Sequence, residues 1–236
     1  METGTIGIIS AMPVEVASML GKASISRTDR IGGTDFHVGR LCGADVVIAQ
    51  AGIGKALSAA GAAAMLCRYP VSSVIFTGIA GGVGDRTRVL DVVIATDLVQ
   101  HDYGFQEQNG FRWSPEFSGT DGYSVCDGAL VRLACEAAAE TVGPGHVFTG
   151  RIATGDQFVA SEAYVKYLQE QFDAIACEME GAAVAAVCEQ YGVPFVVIRR
   201  MSDKADGNAT ESFEKMAGTA ADNSCRIVMG MLAGMR

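Results

Sequence analysis

The sequence predicts a layered α/β fold with a mainly parallel or mixed sheet. Apolar, β-branched runs recur along the chain, and near-continuous runs of this kind are typical of strands buried on both faces. Alanine-rich segments of helical length lie between these runs, and such alternation is typical of α/β domains. Hydrophobic residues make up 49% of the chain and charged residues 19%, which provides enough apolar material for a deep core.

The predicted elements follow one another in a regular order. Strands are predicted over residues 5–10, 44–50, 71–77, 89–97, 147–154, 173–177 and 193–200. Helices are predicted over residues 55–67, 128–140, 161–172, 181–191 and 211–235, the last with a break near Gly218. Residues 103–122 are rich in glycine and polar side chains without a clear period, so we expect a long functional or interfacial loop there. No repeat or linker divides the chain, and we expect one domain over residues 1–236.

Charge and cysteine content narrow the classes of function. The formal net charge is −9 and no basic cluster is present, which argues against binding to nucleic acid. No apolar stretch approaches the roughly 18 residues of a membrane span, and no signal-peptide pattern is evident. The seven cysteines lie at least nine residues apart, which excludes a CxxC motif and indicates free thiols in a reducing compartment. We therefore expect a cytoplasmic protein that binds neither nucleic acid nor membranes.

Two glycine-rich turns follow predicted strands. The first, AGIGK at residues 51–55, lacks the Ser or Thr of a P-loop because Ala56 stands there, and Leu57 occupies the third glycine position of a GxGxxG motif. The second is TGIAGGVG at residues 77–84, where bare backbone can approach a ligand closely. Each turn, taken alone, is as consistent with a tight structural turn as with a ligand cradle.

Acidic residues mark the ends of two predicted strands. Glu178 and Glu180 follow one strand, and Asp203 follows the next strand along the chain, about 25 residues later. Ligands of α/β sheets usually bind at strand ends, and a buried strand end holds carboxylates only when they have partners or a function. The two acidic ends therefore predict one site built from neighbouring strands.

Six short motifs occur in a fixed order over about residues 4–215. They are GIISAM at 7–12 with Glu15, AGIGK at 51–55, TGIAGG at 77–82, TGDQFV at 154–159, EME at 178–180 and SD at 202–203. Their order and spacing resemble those of the 5′-methylthioadenosine/S-adenosylhomocysteine nucleosidases, a branch of the nucleoside phosphorylase/nucleosidase superfamily. The resemblance implies a three-layer α/β/α fold with a central mixed, mostly parallel sheet, and a homodimer.

The resemblance also implies a reaction. The enzyme would hydrolyse the N-glycosidic bond of 5′-methylthioadenosine and S-adenosylhomocysteine in methionine salvage, releasing adenine and the 5′-thio-ribose. Asp203 would donate a proton or a hydrogen bond to N7 of adenine, which calls for a raised pKa of this carboxyl. Glu15 would orient and deprotonate the attacking water. Glu180 would accept hydrogen bonds from the ribose hydroxyls and support the positive charge that develops on the ribose.

Other residues carry over from the resemblance as substrate contacts. Phe158 would stack on adenine beside the backbone of Val159, and Met179 would lie under the ribose. The whole implied set is Met12, Ile53, Ile79, Phe158, Val159, Met179, Arg199, Ser202 and Phe213. Asp156 would brace the purine-binding loop, and a structural role is favoured for the pair His101-Asp102. Neither a cofactor nor a metal is implied.

The single residues are less specific than the joint pattern. Alone, Glu15 is more typical of a solvated residue in the first turn of a helix, and Asp203 is equally consistent with a helix cap or turn. Phe158 and Phe213, alone, are more typical of core aromatics. Only the ordered set of motifs favours a functional role of these residues over such structural interpretations.

The residues after the strand 71–77 bear on the nucleophile. In phosphorylases of this fold, the residues at this strand end resemble the pattern Arg-x-Gly-Ser. This chain has Phe76 and Ile79 at the corresponding positions, and neither side chain can bind phosphate. The Glu15 carboxylate would also repel an anion. Water is therefore the better nucleophile. A nucleosidase with a different 5′ substituent (futalosine-type), a purine nucleoside phosphorylase and a non-catalytic nucleoside-binding protein stay open as alternatives. The loop 100–113 diverges from the family after Asp102, which leaves the 5′ substituent open.

Overall fold

The computed structural model describes residues 4–118, 120–205 and 209–235, without the side chains of 117, 118 and 209–221. Along it, helices are interspersed among the strands. The strands are β1 Thr5–Ser10, β2 Ser24–Ile31, β3 Thr34–Leu41, β4 Ala44–Gln50, β5 Val71–Gly82, β6 Val92–Gln100, β7 Gly104–Glu107, β8 Gly110–Trp113, β9 Tyr123–Val125, β10 Val147–Thr154, β11 Ala174–Glu178 and β12 Phe195–Asp203. The α-helices are α1 Pro13–Leu20, α2 Lys55–Arg68, α3 Gly128–Val142, α4 Glu162–Phe172, α5 Gly181–Tyr191 and α6 Ala209–Gly234.

The central sheet is mixed. Its strand order is β11-β10-β6-β12-β5-β1-β4-β3-β2, with β9 on β6 and a further pairing of β11 with β5. Parallel pairings join β1 to β4 and β5, β5 to β12, β6 to β10, and β10 to β11. The pairings β2–β3, β3–β4, β5–β11, β6–β9 and β6–β12 are antiparallel. The predicted mixed sheet is therefore confirmed, but its described pairings are parallel only in part.

Helices cover both faces of the sheet, as the three-layer prediction requires. On one face, α2 and α5 pack on the strands, and Met65, Val184 and Phe76 belong to one core. On the other face, α1, α3 and α6 pack on the same sheet, where Met19, Ala134 and Val228 belong to a second core. Successive side chains of a strand enter opposite cores, which explains the near-continuous apolar runs in the sequence.

Most predicted elements coincide with observed ones. The predicted bounds match β1, β4, β10 and α5, whereas β5 continues to Gly82 because its glycine-rich end still pairs with β12 and β11. The predicted break near Gly218 is wrong, since α6 is one continuous helix. The loop predicted over 103–122 contains the antiparallel hairpin β7–β8, so that prediction is wrong in part.

The predicted elements do not include the hairpin β2–β3, and α1 was anticipated only through the interpretation of Glu15 as a residue in a first helical turn. Strand β2 lies at the end of the sheet order and is largely exposed, with Arg27, Asp29 and Arg30 among its side chains. Charged side chains on an edge strand hinder edge-to-edge aggregation, but they remove the apolar pattern by which a strand is recognised.

Among the helices in the described part of the chain, none combines the length and the apolarity needed to cross a membrane.

Candidate active site

A cavity of about 120 Å³, which opens to solvent, lies at the carboxyl ends of β1, β5, β11 and β12. Its lining residues are Ala11, Met12, Glu15, Ile53, Ile79, Ala80, Gly81, Gln157, Phe158, Val159, Cys177, Glu178, Met179, Glu180, Ser202 and Asp203. Its lining combines apolar side chains with a few acidic groups, as ligand sites do, and strand ends are where α/β proteins bind their ligands.

The cavity brings together most of the residues that the sequence predicted. They are Met12, Glu15, Ile53, Ile79, Phe158, Val159, Met179, Glu180, Ser202 and Asp203. Arg199 is not among the lining residues, and Phe213 lies outside the residues whose side chains are described. The set of predicted site residues omitted Ala11, Ala80, Gly81 and Gln157, which lie within the motifs, and Cys177, which directly precedes the EME motif. It assigned Glu178 no contact with substrate.

The two acidic strand ends are not direct neighbours in the sheet, contrary to the prediction. Strand β5 lies between β11 and β12, and its Gly81 pairs with Cys177 on one side and Asp203 on the other. A Cβ atom on Gly81 would lie 2.9 Å from Oδ1 of Asp203, so a larger residue would crowd this carboxylate. The glycines of the TGIAGG motif thus allow three strand ends to converge on one cavity.

Glu15 is held at the beginning of α1 by backbone amides. Its Oε2 accepts hydrogen bonds from the amides of Ala11 (3.0 Å) and Met12 (2.9 Å), and its Oε1 accepts one from Ile79 (3.2 Å). Only 2% of the residue is exposed, and burial raises the pKa of the carboxyl although the amides and the Arg199 charge oppose it. Glu15 is therefore a fixed carboxyl at the cavity wall, not a solvated residue of the first helical turn.

Glu178 and Arg199 form a buried ion pair beside the cavity. Oε2 of Glu178 lies 3.1 Å from Nε and 2.6 Å from Nη2 of Arg199. The carboxylate also accepts hydrogen bonds from the amides of Glu180 and Gly181 and from the Thr154 hydroxyl. The guanidinium carbon of Arg199 lies 4.1 Å from the ring centre of Phe76. These contacts place Arg199, which the resemblance implies as a substrate contact, behind Glu178.

Among the four acids that line the cavity, Glu180 has the fewest hydrogen-bond donors in the described part of the chain to offset the cost of burying its charge. Its Oε1 accepts a hydrogen bond of 2.8 Å from the amide of Gly54, in the turn before α2. Burial, and secondarily the neighbouring negative charge of Glu178, raises the pKa of Glu180 to about 7. This carboxyl therefore changes its protonation state close to neutral pH.

Asp203 ends β12 with its carboxylate held on both oxygens. The Ser202 hydroxyl donates to Oδ2 and the Ala205 amide donates to Oδ1, both at 2.7 Å. Ala205 has a φ of +54°, the left-handed conformation that alanine rarely adopts, and this sharp turn directs its amide back to the carboxylate. Local strain is thus associated with the orientation of Asp203.

The remaining wall of the cavity is apolar. Met12, Ile79, Val159 and Met179 contribute to it, together with Ile53 and Phe158. Ile53 is 54% and Phe158 48% exposed, which places these two side chains at the open mouth. The site therefore combines buried acids with an apolar entrance, an arrangement suited to a ligand with a polar centre and an apolar substituent.

Comparison with known proteins agrees with this geometry. The sequence matches the model of the phosphorylase superfamily over residues 5–233. The 5′-methylthioadenosine/S-adenosylhomocysteine nucleosidase of Geobacillus sp. (strain WCH70) is 38% identical over 232 residues, which cover 98% of this chain and 99% of the relative. The chain belongs to the phosphorylase superfamily. Within it, the chain is a member of the 5′-methylthioadenosine/S-adenosylhomocysteine nucleosidase family.

Solved structures show the same fold. A mutant nucleosidase of Helicobacter pylori with 5′-methylthioadenosine in its active site superposes with a TM-score of 0.89 at 33% identity, covering 98% of this chain and 99% of that chain. The futalosine hydrolase of Helicobacter pylori strain 26695 superposes with a TM-score of 0.88 at 32% identity, covering 98% of both chains. The predicted three-layer fold and the predicted family are thus confirmed.

The buried ion pair generates a prediction about stability. Replacing Arg199→Met leaves the Glu178 carboxylate buried without its cation, so we expect the free energy of unfolding to fall by about 3–5 kcal/mol. The double variant Arg199→Met/Glu178→Gln should recover part of this loss, because the unpaired charge is removed. Urea denaturation of the three proteins measures both effects.

A matched control is Arg40→Met, which removes an ion pair whose side chains are both 65% exposed. Exposed pairs contribute about 0–1 kcal/mol, so this variant should unfold almost as the parent does. Equal losses in Arg199→Met and Arg40→Met would show that the Glu178–Arg199 pair has no special role.

Proposed function

We propose that this protein hydrolyses the N-glycosidic bond of 5′-methylthioadenosine and S-adenosylhomocysteine, releasing adenine and the 5′-thio-ribose. The observation that carries the proposal is the convergence of Glu15, Glu180 and Asp203 on one cavity with an apolar mouth. Purine departure creates positive charge on the ribose, and carboxylates in a shielded site stabilise such a charge. The reaction follows the acid–base logic of paired-acid glycosidases, with a purine as the leaving group.

Asp203 is the proposed acid. As the bond between C1′ of the ribose and N9 of adenine breaks, its electron pair moves into the purine, and Asp203 supplies a proton to N7. The hydrogen bonds from Ser202 and Ala205 fix the carboxyl in one orientation, which favours proton transfer along a defined path.

Glu15 is the proposed base. Water attacks C1′ while Glu15 accepts one of its protons, so the hydroxyl remains on the ribose and the proton remains on the carboxyl. Its raised pKa makes Glu15 a better proton acceptor than an ordinary glutamate. Glu180 is proposed to accept hydrogen bonds from the ribose hydroxyls, and it must be ionised to support the developing charge.

Water is favoured over phosphate by the charges around the nucleophile. Phe76 is fully buried against Arg199, and the Ile79 amide already donates to Glu15. The Arg199 guanidinium is paired with Glu178, so it offers an incoming anion little net positive charge. An attacking phosphate would instead meet the Glu15 carboxylate.

The cavity mouth supports a homodimer as part of this proposal. Ile53 and Phe158 at the mouth are 54% and 48% exposed, and Leu57, in the first turn of α2, is 58% exposed. Exposed apolar side chains of this kind are typical of surfaces that a partner covers. In the family that the sequence resembles, a loop of the partner subunit closes the 5′ pocket. Phe105 and Trp113, the wall residues that we propose from this loop, do not line the cavity of their own chain.

A cytoplasmic role in methionine salvage is the proposed setting. All seven cysteines are free thiols, which fits a reducing compartment. We also propose that residues 1–236 form one domain, in keeping with cores that extend over both faces of the sheet.

The acid assignment predicts the effect of Asp203→Asn. The amide cannot give a proton to N7, so we expect kcat to fall by roughly 10²–10⁴-fold, the range attributed to general acid catalysis. The amide can still exchange hydrogen bonds with Ser202 and Ala205, so the melting temperature should stay close to that of the parent. Asp85→Asn, at an exposed position, is the control. Full activity of Asp203→Asn would refute the assignment.

The choice of nucleophile and substrate predicts the outcome of one assay panel. Purine release is followed with 5′-methylthioadenosine, S-adenosylhomocysteine and a futalosine-type nucleoside, in phosphate-free buffer and again with phosphate. We expect phosphate-independent release from the two thioethers. Release only with phosphate, accompanied by ribose 1-phosphate, would identify a phosphorylase. Faster turnover of the futalosine-type nucleoside would favour the alternative substrate, and binding without release would indicate a non-catalytic nucleoside-binding protein.

The proposed dimer predicts the molar mass in solution. Light scattering should give about twice the 24.6 kDa of one chain at micromolar concentration. Leu57→Glu places a charge on the exposed first turn of α2 and should shift the population towards the monomer with a loss of activity. A monomeric, fully active parent protein would contradict this part of the proposal.

A further inference from the structure

Three strand ends beside the cavity are joined by one ring of hydrogen bonds. Lys55 follows β4, Asp102 follows β6 and Asp156 follows β10, and we refer to these three residues as the Lys55 ring. Nζ of Lys55 lies 2.6 Å from Oδ1 of Asp102, whose Oδ2 accepts the amide of Asp156 at 2.9 Å. The Asp156 carboxylate then accepts the amide of Lys55 at 2.8 Å, which closes the ring.

The ion pair within the ring is shielded from solvent. The side chains of Lys55 and Asp102 are 19% and 17% exposed, in contrast to the 65% of both partners in the surface pair Arg40–Asp45. Burial works to raise the pKa of Asp102, but the contacts with Lys55 and Asp156 outweigh it and hold that pKa below its ordinary value. A shielded pair that also accepts a backbone amide holds its geometry better than an exposed one.

One side of the ring anchors the loop that carries Phe158. Residues 155–160 are in neither helix nor strand, yet Gln157, Phe158 and Val159 line the cavity. Such a loop needs contacts outside itself to keep one conformation. The hydrogen bonds of Asp156 to Asp102 and Lys55 supply them one residue before the lining begins.

The other side of the ring anchors the turn that contacts Glu180. Gly54 donates its amide to Glu180 and immediately precedes Lys55, whose own amide is bound by Asp156. The φ of Gly54 is +92°, and a Cβ atom there would also lie 3.1 Å from Oδ1 of Asp156, so this turn requires glycine. The position of the amide on Glu180 therefore depends on the same contacts as the loop.

We propose that Lys55 and Asp102 are positioning residues, which hold the Phe158 loop against the base and the Gly54 amide against Glu180. Neither side chain lines the cavity, so both act through other groups. The inference rests on the proposed nucleoside hydrolysis, for which it names two further residues that set the affinity for the base and the ionisation of Glu180.

The kinetic test compares Lys55→Met, Asp102→Ala and the double variant with the parent. Loss of one charge-assisted contact should raise KM for 5′-methylthioadenosine about tenfold, with a smaller change in kcat. Because the two residues act as one unit, the double variant should be hardly worse than either single one. The surface variants Arg40→Met and Asp45→Ala are the matched controls and should leave KM unchanged.

The pH dependence of kcat/KM separates a positioning role of Lys55 and Asp102 from a purely structural one, because loss of stability alone would not shift it. The Gly54 amide lowers the pKa of Glu180, so its displacement raises that pKa and the acidic limb of kcat/KM should move to higher pH in both single variants. The other charges that act on Glu180 are those of Glu178, Glu15 and Arg199, which the variants leave in place. A lower melting temperature with unchanged KM and an unmoved limb would overturn the proposal, as would additive effects in the double variant.

Hydrogen–deuterium exchange of the peptide over residues 154–159 gives a test that needs no turnover. Exchange there should accelerate in both single variants and stay unchanged in the surface controls. If Asp102→Ala fails to fold, Asp102→Asn keeps an acceptor for the Asp156 amide but removes the charge, and a smaller increase in KM and exchange is expected. A parent protein without purine release would defeat the proposed function, while the exchange rates would still decide whether the ring holds the loop.

Discussion

The site depends on how four buried carboxylates are kept in one small volume. Glu15, Glu178, Glu180 and Asp203 all line the same cavity, and each is at most 8% exposed. Buried charges of one sign are costly unless each has a partner. Arg199 pairs with only one of them, and backbone amides and a hydroxyl hold the other three. The turns at the strand ends are shaped by this requirement.

Glycines at the strand ends help to hold these acids, either by donating hydrogen bonds from their backbone amides or by leaving room for the carboxylate. The amides of Gly54 and Gly181 donate to Glu180 and Glu178, and the close approach at Gly81 lets Asp203 reach the cavity. An amide carries no net charge, so it orients a carboxylate without neutralising it. The acids therefore remain able to exchange protons and to stabilise positive charge.

Strong local patterns were readable from the sequence, and contacts between distant segments were not. Buried strands such as β1 and β4 are mainly apolar, so their bounds followed from composition, whereas β2 is charged and exposed and lacked that signal. The ordered motifs identified the lining residues because each lies next to a strand end. Two features of the site depend on the order of strands in the sheet, which no single segment encodes. They are the pairing of Arg199 with Glu178 and the position of β5 between the two acidic strands.

The pairing of the buried Arg199 with only one of the four carboxylates has a chemical consequence. Arg199 stabilises Glu178 directly, which leaves Glu180 with a single amide and a pKa of about 7, and Glu15 with a raised pKa. In the proposed mechanism, a stronger cation near Glu15 would make this carboxylate a poorer base and would also attract anions. Placing the arginine behind Glu178 therefore supports the structure of the site while keeping its nucleophile neutral. The selection of water over phosphate follows from where the positive charge is neutralised rather than from a dedicated water-binding residue.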